Sequence, residues 1–180
     1  MWRQLMSNYN EYIRTIPDYP VEGINFYDLN SLFASNVWPR AVRSLVDELK
    51  ENYVRDVTHI VGIESRGFVV GAAMAQVMQI PFVMVRKKGA KYPGKLLEES
   101  YELEYGTDTL TLQEGILGHT SRVIIADDLV ATGGSMMATK RLIEQTGSRV
   151  LGGATVVNLK YLNPESMKHF TLAKLYEATF

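Results

Sequence analysis

One run of thirteen residues constrains the fold more than any other part of the chain. It reads VIIADDLVATGGS, from Val123 to Ser135, and joins an apolar, strand-like segment to two adjacent acids and a glycine-containing turn. The residues from Ser135 to Gln145 then have helical spacing, and Gly147 follows just past their end. The run therefore predicts a buried strand that passes directly into a helix, which is the building block of a parallel α/β sheet.

The rest of the chain repeats this alternation. Buried strands are predicted over 57–63, 81–85, 123–126 and 150–159, and helices over about 14 residues from Asn36, over 67–79 and over 135–145. Residues 86–100 lack periodicity and predict a long loop, residues 101–113 alternate around Gly106 as in a β-hairpin, and residues 164–180 predict a short helix and an edge strand. Residues 1–35 predict a short helix and an irregular arm. We expect a single α/β domain over 1–180 with a mainly parallel sheet.

Composition excludes several classes of protein. Lys and Arg (19) nearly balance Asp and Glu (20), and this balance argues against a nucleic-acid binder. The chain has no cysteine, which excludes disulfides and a thiol nucleophile and is typical of a reducing compartment, so we expect a cytoplasmic protein. The uncharged stretch from Gly67 to Val85 is divided by Pro81 and predicts a buried helix and strand, so no membrane span is expected.

The turn after the third predicted strand has the composition of a phosphate site. Its two glycines let the backbone approach a ligand closely, and consecutive N–H groups at a helix N-terminus attract anions. Thr132 and Ser135 add hydroxyl donors, while Asp127 and Asp128 can accept hydrogen bonds from ribose hydroxyls. The bland alternative is a tight strand-to-helix turn with capping residues, but two acids that end a buried strand are costly unless a ligand uses them. The run predicts a ribose 5-phosphate site.

Three other segments carry candidate chemistry. Glu64–Gly67 (ESRG) follows the first buried strand and opens a helix, so it offers N–H groups and Arg66 to an anion, or simply caps the helix. The segment 86–91 is basic, and it is either a flap over an anion or a solvated face. Residues 89–96 nearly match an NTP-binding loop, but Leu96 stands where Ser or Thr would bind Mg²⁺. Glu102 and Glu104 share one face of a strand and could be ordinary exposed acids.

The run from Val123 to Ser135 resembles, at every position, the signature for phosphoribosyl pyrophosphate (PRPP) in type I phosphoribosyltransferases. Further segments resemble the adenine-using branch of that family and occur in the same order: YPVEGINFYD over 19–28, VGIESRGFVVGAAMA over 61–75 and YELEYG over 101–106. The resemblance covers the chain from about Ile16 to Leu159. It implies the type I phosphoribosyltransferase fold, a mainly parallel sheet flanked by helices, with an N-terminal hood over 1–35 and a flexible flap and hairpin over 86–113.

The resemblance also implies a reaction and a set of site residues. Adenine and PRPP would give AMP and pyrophosphate, with Mg²⁺ bound through PRPP and water rather than by the protein. The implied sites are Glu104 as the acid/base; Asp127, Asp128, Ala131, Thr132, Gly133, Gly134 and Ser135 for the 5-phosphate and ribose; Glu64, Ser65, Arg66, Arg86, Lys87 and Lys91 for pyrophosphate; and Asn25, Phe26 and Tyr27 for adenine. The family often has a non-proline cis peptide in the pyrophosphate loop, and Glu64–Ser65 is the matching bond here.

Some members of the family differ from this chain in the residues of the base site, in the base that they use, or in being regulators rather than enzymes. Many carry Arg where this chain has Tyr27, and a hydrophobic residue where it has Asn25. The change is tolerable if the backbone reads the base, and otherwise the base preference changes. Hypoxanthine-guanine, xanthine and orotate enzymes of the same family are the nearest alternatives. A PRPP-binding regulator is a more distant one, since it would need a DNA-binding module and a basic surface. The resemblance further implies a homodimer.

Overall fold

The structure is a computed structural model that describes residues 9–52, 54–103 and 106–179. The chain divides into two compact units, 1–41 and 42–180. Glu104 and Tyr105 lie outside the described residues, so the predicted acid/base has no described position.

The first unit contains a small sheet that the sequence analysis did not predict. Its described elements are a 3-10 helix, two strands and one helical turn: Tyr9–Tyr12, β1 (Arg14–Ile16), β2 (Phe26–Asp28) and α1 (Asn30–Phe33). The strands β1 and β2 pair antiparallel, with Thr15 opposite Tyr27. Strands of three residues are too short to give a period-two pattern, and for that reason this region was predicted as an irregular arm.

The second unit is built on a seven-stranded sheet. Its strands are β3 (His59–Ile63), β4 (Phe82–Lys87), β5 (Leu96–Leu103), β6 (Gly106–Gln113), β7 (Arg122–Val130), β8 (Arg149–Leu159) and β9 (Leu172–Ala178). Its main helices are α2 (Trp38–Glu51), which begins in the first unit, α3 (Arg66–Met78) and α4 (Gly134–Glu144), and two 3-10 turns follow β8 at Lys160–Leu162 and Glu165–Met167. Helix α2 begins two residues after Asn36 and has the predicted length of 14 residues.

The strand order places the predicted loops side by side. The order across the sheet is β5-β6-β4-β3-β7-β8-β9, and β4, β3, β7, β8 and β9 run parallel. The connection through α3 leads from β3 to one side, and the connection through α4 leads from β7 to the other. The carboxyl ends of β3 and β7 therefore form a topological switch point, where ligands bind in open α/β sheets. The expected mainly parallel α/β fold is confirmed.

A continuous apolar core supports the strand ends at this switch point. Alternate residues of β7 contribute to it on the α4 side, with Val123 and Ile125 both fully buried. Other members come from β3, β4, β6 and α4, and they include Val61, Val85, Leu110, Met136 and Leu142. Because every central strand is anchored by fully buried side chains, the loops at its end start from a rigid base.

The predicted long loop over 86–100 is largely wrong. Strand β4 continues to Lys87, and β5 begins at Leu96, so only residues 88–95 connect them. Strands β5 and β6 form a hairpin, called the hairpin below, in which Leu97 lies opposite Leu112 and packs against the core. Glu99 lies on the same face as Leu97 and Tyr101 and pairs there with Arg141 of α4. A charged residue therefore interrupts the apolar face and hides the period-two pattern, and this explains why the sequence predicted a loop.

The uncharged stretch over 67–85 folds as predicted into two elements. Helix α3 spans 13 residues, and β4 begins at Phe82, directly after Pro81. Among the residues that the structure describes, no helix combines the length and the apolar character that a membrane crossing requires.

Candidate active site

Two adjacent carboxyl groups, called the acid pair below, are buried near the end of β7. Asp127 is 9% exposed and Asp128 is 5% exposed. Asp127 Oδ1 accepts the backbone N–H of Asp128 at 2.9 Å, and Arg66 Nε lies 2.9 Å from Asp128 Oδ2. Burial and, after it, the neighbouring Asp128 raise the pKa of Asp127. The fold thus places two hydrogen-bond acceptors at the switch point at an electrostatic cost.

The turn that follows, residues 131–135, opens α4 as predicted and is called the phosphate turn below. Gly133 has φ +75° and immediately precedes the helix. A residue without a side chain cannot cap the first turn, so the leading N–H groups of α4 remain available to an anion. Thr132 is exposed and Ser135 half-buried at the same end, where their hydroxyls can donate to the same ligand.

Two residues far along the chain shape the outer side of this turn. Asn163 Nδ2 donates to the carbonyl oxygen of Ala131 at 2.6 Å. Met167 packs against Gly133 so closely that a Cβ on that glycine would lie 2.7 Å from its sulfur. Gly133 is therefore required both for its positive φ and for this contact. The sequence analysis missed Asn163 and Met167, because nothing in their local sequence relates them to residues 131–133.

The loop between β3 and α3 lies against the acid pair. A Cβ on Gly67 would lie 2.7 Å from the carbonyl oxygen of Ala126 and 3.1 Å from Asp127 Oδ1. Only glycine allows this approach, which brings Ser65 and Arg66 beside β7. The Glu64–Ser65 peptide is cis, as the resemblance implied.

Each of three predicted pyrophosphate cations has a carboxylate partner. Arg66 pairs with Asp128 at 2.9 Å, Arg86 Nη2 lies 3.0 Å from Glu64 Oε1, and Lys87 Nζ lies 3.0 Å from Asp108 Oδ2. These carboxylates hold the three cations near the ends of β3 and β4. A polyanion with a higher charge than a carboxylate could therefore take over these donors.

The carboxylate of Glu64 organises this cluster. Besides Arg86, it accepts the backbone N–H of Lys87 at 2.8 Å. The hydrogen bond from Arg86 lowers the pKa of Glu64 against the opposing effect of burial, and the Lys87 N–H lowers it further. Glu64 was predicted as part of a pyrophosphate loop. In the structure its carboxylate accepts hydrogen bonds from Arg86 and Lys87 and so positions Arg86.

The segment after β4 is tied back to the sheet. Arg86 Nη1 donates to the carbonyl oxygen of Lys91 at 3.4 Å, and the Tyr92 hydroxyl donates to the carbonyl oxygen of Met84 at 3.0 Å. The Arg86 guanidinium carbon lies 5.7 Å from the centre of the Tyr92 ring. Lys91 is exposed at this point. The basic segment is thus held near the strand end from which Arg86 projects.

The residues predicted for the base lie in the first unit. Phe26 and Tyr27 belong to β2, and Asn25 precedes them in an exposed position. The Phe26 ring packs edge-to-face on Tyr19, with 5.1 Å between centroids. The structure therefore brings the three base candidates together on one short strand and its approach, supported by an aromatic neighbour.

The second unit thus combines three functions at one edge of its sheet. The phosphate turn suits a monoester phosphate and the acid pair suits vicinal hydroxyls. The cations at the start of α3 and the end of β4 suit a second, more highly charged group. A ribose with a phosphate at one end and a diphosphate at the other has this pattern of charge. Sequence reasoning missed Tyr101 and Asp108, which also lie here; the alternation of the hairpin is the signal that could have paired them.

Comparison with known proteins gives consistent matches. Residues 30–171 match the family model described as the phosphoribosyl transferase domain. An adenine phosphoribosyltransferase from Phocaeicola vulgatus is 40% identical over 169 residues, which cover 91% of this chain and 95% of the relative. The crystal structure of adenine phosphoribosyltransferase from Rhodothermus marinus has a TM-score of 0.84 at 36% identity and covers 97% of this chain and 99% of that one. The enzyme from Saccharomyces cerevisiae, complexed with adenine and an imino-altritol bisphosphate, has a TM-score of 0.88 at 32% identity, with 96% and 99% covered.

Proposed function

The chain belongs to the phosphoribosyltransferase family, and from this premise we propose that it transfers the 5-phosphoribosyl group of PRPP to N9 of adenine, giving AMP and pyrophosphate. The observation that carries the proposal is the acid pair buried directly before the phosphate turn. Relatives named for this activity match most of the chain, and the yeast relative was crystallised in a complex with adenine and an imino-altritol bisphosphate.

The phosphate turn and the acid pair hold the ribose 5-phosphate in this proposal. The N–H groups of residues 131–135 bind the 5-phosphate, helped by the positive end of the α4 dipole. The carboxylates of Asp127 and Asp128 accept hydrogen bonds from the two ribose hydroxyls. This use explains why two acids are kept in a buried position, because the hydroxyl donors offset the cost of their burial.

Pyrophosphate is bound by the loop after β3 and by the end of β4. Backbone N–H groups of Ser65 and its neighbours, together with Arg66, Arg86, Lys87 and Lys91, supply donors to the leaving group. Glu64 acts by holding Arg86 in place. As the bond from C1′ to the leaving oxygen breaks, negative charge accumulates on pyrophosphate and positive charge on the ribose. Cations that are already positioned stabilise this charge separation without further reorganisation.

In this proposal Mg²⁺ would act together with PRPP. Among the described residues no group of three or more His, Cys, Asp or Glu side chains converges in a metal-binding arrangement. Because Mg²⁺ prefers phosphate oxygens and retains waters, PRPP and water would supply its ligands. When bound, the ion neutralises part of the pyrophosphate charge. The acid pair and the cations of this chain then position the rest of the substrate.

Adenine is held by the arm and activated by the hairpin. Phe26 stacks on the purine, and the backbone at Asn25 and Tyr27 reads the edge of the base. Attack by N9 makes the purine more acidic, so one proton must leave it. Glu104 is the acid/base near N7 in this proposal, on the strength of the YELEYG run that it shares with the family.

We also propose a homodimer located in the cytoplasm. Val69 on α3 and Met84 on the middle strand β4 are 43% and 40% exposed. Phe82, two residues before Met84, packs close to Gly71 of α3, so both exposed side chains lie on the α3 side of the sheet. A second copy of this chain would cover them. The lack of cysteine supports a reducing compartment.

One assay tests the function against its nearest alternatives. The purified chain is offered PRPP and Mg²⁺ with adenine, hypoxanthine, guanine, xanthine or orotate in turn, and nucleotide and pyrophosphate are measured. Adenine is expected to be used far faster than any other base and to give AMP and pyrophosphate in equal amounts. Preference for another base would contradict the proposal, and binding of PRPP without any turnover would favour a regulator.

A further inference from the structure

Tyr101 lies where the hairpin meets the phosphate turn. Its ring covers Gly134, the first residue of α4, since a Cβ on that glycine would lie 3.4 Å from Tyr101 Cδ2 and 3.7 Å from the carbonyl oxygen of Glu102. Tyr101 is half-buried there and packs against the core. A single aromatic ring thus joins the strand that leads to Glu104 to the proposed seat of the 5-phosphate.

The hydroxyl of the same side chain reaches across the hairpin. Tyr101 and Asp108 are directly opposite each other in the register of β5 and β6, and the Tyr101 hydroxyl donates to Asp108 Oδ2 at 3.4 Å. The other oxygen, Oδ1, accepts the backbone N–H of Thr109 at 2.8 Å. These two hydrogen bonds orient the Asp108 carboxylate independently of any cation.

Asp108 in turn holds a proposed pyrophosphate ligand. Lys87 Nζ lies 3.0 Å from Asp108 Oδ2, while the Lys87 side chain is 55% exposed. A half-exposed lysine without a partner samples many rotamers, and ordering it costs free energy when a ligand binds. The pairing with Asp108 restricts Lys87 to one region beside the end of β4.

The contacts from Tyr101 through Asp108 to Lys87 are called the link below, and the charge states of the three groups favour it. Burial, with added effects of Asp108 and Asp127, raises the pKa of Tyr101 to about 12, so its hydroxyl remains a donor at any ordinary pH. Burial alone would raise the pKa of Asp108, but the hydrogen bond from Lys87 and the Thr109 N–H bring it below its usual range. The Tyr101 hydroxyl therefore donates to the charged Asp108 carboxylate, which in turn pairs with the Lys87 ammonium.

We propose that Tyr101 and Asp108 are positioning residues that set the separation between the phosphate turn and Lys87. They thereby favour a ribose that carries phosphate groups at both ends over one that carries only the 5-phosphate. The inference rests on the proposed function, because it assigns the phosphate turn to the 5-phosphate and Lys87 to pyrophosphate. Neither residue needs to touch the substrate to exert this effect.

The test compares the dissociation constants of two ligands by calorimetry. PRPP with Mg²⁺ occupies both the phosphate turn and the pyrophosphate donors that include Lys87, whereas AMP leaves those pyrophosphate donors empty. Tyr101→Phe keeps the ring on Gly134 and removes the hydroxyl, and it is expected to weaken PRPP about three- to tenfold. Asp108→Asn keeps the shape and removes the charge, and it is expected to weaken PRPP about tenfold. Both variants should bind AMP within about twofold of wild type.

Two further variants separate positioning from folding. Ser100→Ala removes the neighbouring cross-strand bond to Thr109 (2.9 Å) on the same hairpin and should leave both ligands unchanged. In a Lys87→Met background, Asp108→Asn should have no additional effect on PRPP, because Asp108 acts through Lys87. Unchanged PRPP binding in Tyr101→Phe and Asp108→Asn, tighter PRPP binding in Asp108→Asn, or an equal loss for both ligands would overturn the link. A wild-type chain that binds neither ligand would overturn the proposed function itself, and the link with it.

Discussion

The phosphate turn and the hairpin serve the same proposed site but are built in opposite ways. The turn follows two acids that are at most 9% exposed, and it depends on backbone N–H groups and on Gly133, which no larger residue can replace. The hairpin and the strand beside it carry half-exposed charges such as Lys87 and Lys88, each paired with a carboxylate.

The acid pair and the phosphate turn form the fixed part of the site, and the ion pairs of the hairpin and β4 form the part that can exchange partners. A buried acid pair cannot turn to solvent, so its hydrogen bonds must come from neighbouring groups or from a ligand. Exposed ion pairs contribute little to stability and can be replaced by a more highly charged ligand at small cost. A substrate with one phosphate that stays on the product and one that leaves as pyrophosphate suits this division.

The largest effect is expected at Glu104, on the hairpin side of the comparison. Glu104→Gln should lower the turnover number by about 10²–10⁴-fold, because proton transfer from the purine loses its acceptor, while PRPP still binds. Steady-state kinetics and PRPP titration measure the two quantities. Glu102→Gln is the matched control, since Glu102 is an exposed glutamate of β5 that precedes Glu104 by two residues in the sequence. Near-normal turnover of Glu104→Gln, or an equal loss in Glu102→Gln, would remove Glu104 from the mechanism.

The acid pair should show the next largest effect, and it acts on binding. Replacing Asp127 and Asp128 together with Asn should weaken PRPP by about 1–3 kcal/mol for each charged hydrogen bond that is lost. Calorimetric titration with PRPP and Mg²⁺ measures this. Asp56→Asn is a suitable control, because that acid is 74% exposed and pairs with Arg122 before the start of β3. If the double variant binds PRPP as the wild type does, the acids do not hold the ribose.

The same acids should behave unusually in unfolding experiments. Folding raises the pKa of Asp127, so its ionised form is disfavoured in the folded state. The penalty is absent below the ordinary aspartate pKa of about 4 and grows as the pH rises through the folded value. Asp127→Asn should therefore be more stable than wild type at pH 7 and equal to it near pH 3.5, by urea unfolding. A lower stability at pH 7 would show that the carboxylate is stabilised by interactions stronger than its burial penalty.

Glu64 should show the opposite sign. Its pKa is lowered in the folded state by Arg86, so its contribution is present above the ordinary glutamate pKa of about 4.3 and is lost as the pH falls through the folded value. Glu64→Gln should slightly lower the urea midpoint at pH 7 and leave it unchanged well below pH 4. Glu98→Gln, which removes an exposed pair with Lys88 at 2.8 Å, is the control and should have a smaller effect. Equal effects at both pH values would exclude a charge-based role.

The smallest effect is expected where the hairpin rests on α4. Arg141 Nε lies 2.6 Å from Glu99 Oε1, and the Arg141 side chain is 50% exposed. Because solvent screens the pair, Arg141→Ala should cost less than about 1 kcal/mol of unfolding free energy, and the cost should shrink at high salt. Lys140→Ala, which removes a pair within the helix, is the control. A loss of several kcal/mol of unfolding free energy would contradict the view that the contacts of the hairpin are weak and exchangeable.

The sequence predicted the central α/β elements because their signals are local. Apolar runs with turn residues at each end marked β3, β7 and β8, and spacing marked α3 and α4 to within about two residues. It failed for β5, where Glu99 on the core-side face interrupts the apolar alternation, and for β1 and β2, which have three residues each. Those strands exist because a partner strand pairs with them, and a partner is not visible in a local window.

The candidate site divides in the same way. The run from Val123 to Ser135 by itself determined a strand, a pair of acids and an anion-binding helix start, since each depends on neighbours within a few residues. The hydrogen bond from Asn163 to Ala131, 32 residues away, and the pairing of Asp108 with Lys87 become visible only in the folded protein. The reason is physical: such contacts depend on strand order and register, which are set by the packing of the whole sheet and not by the residues that meet.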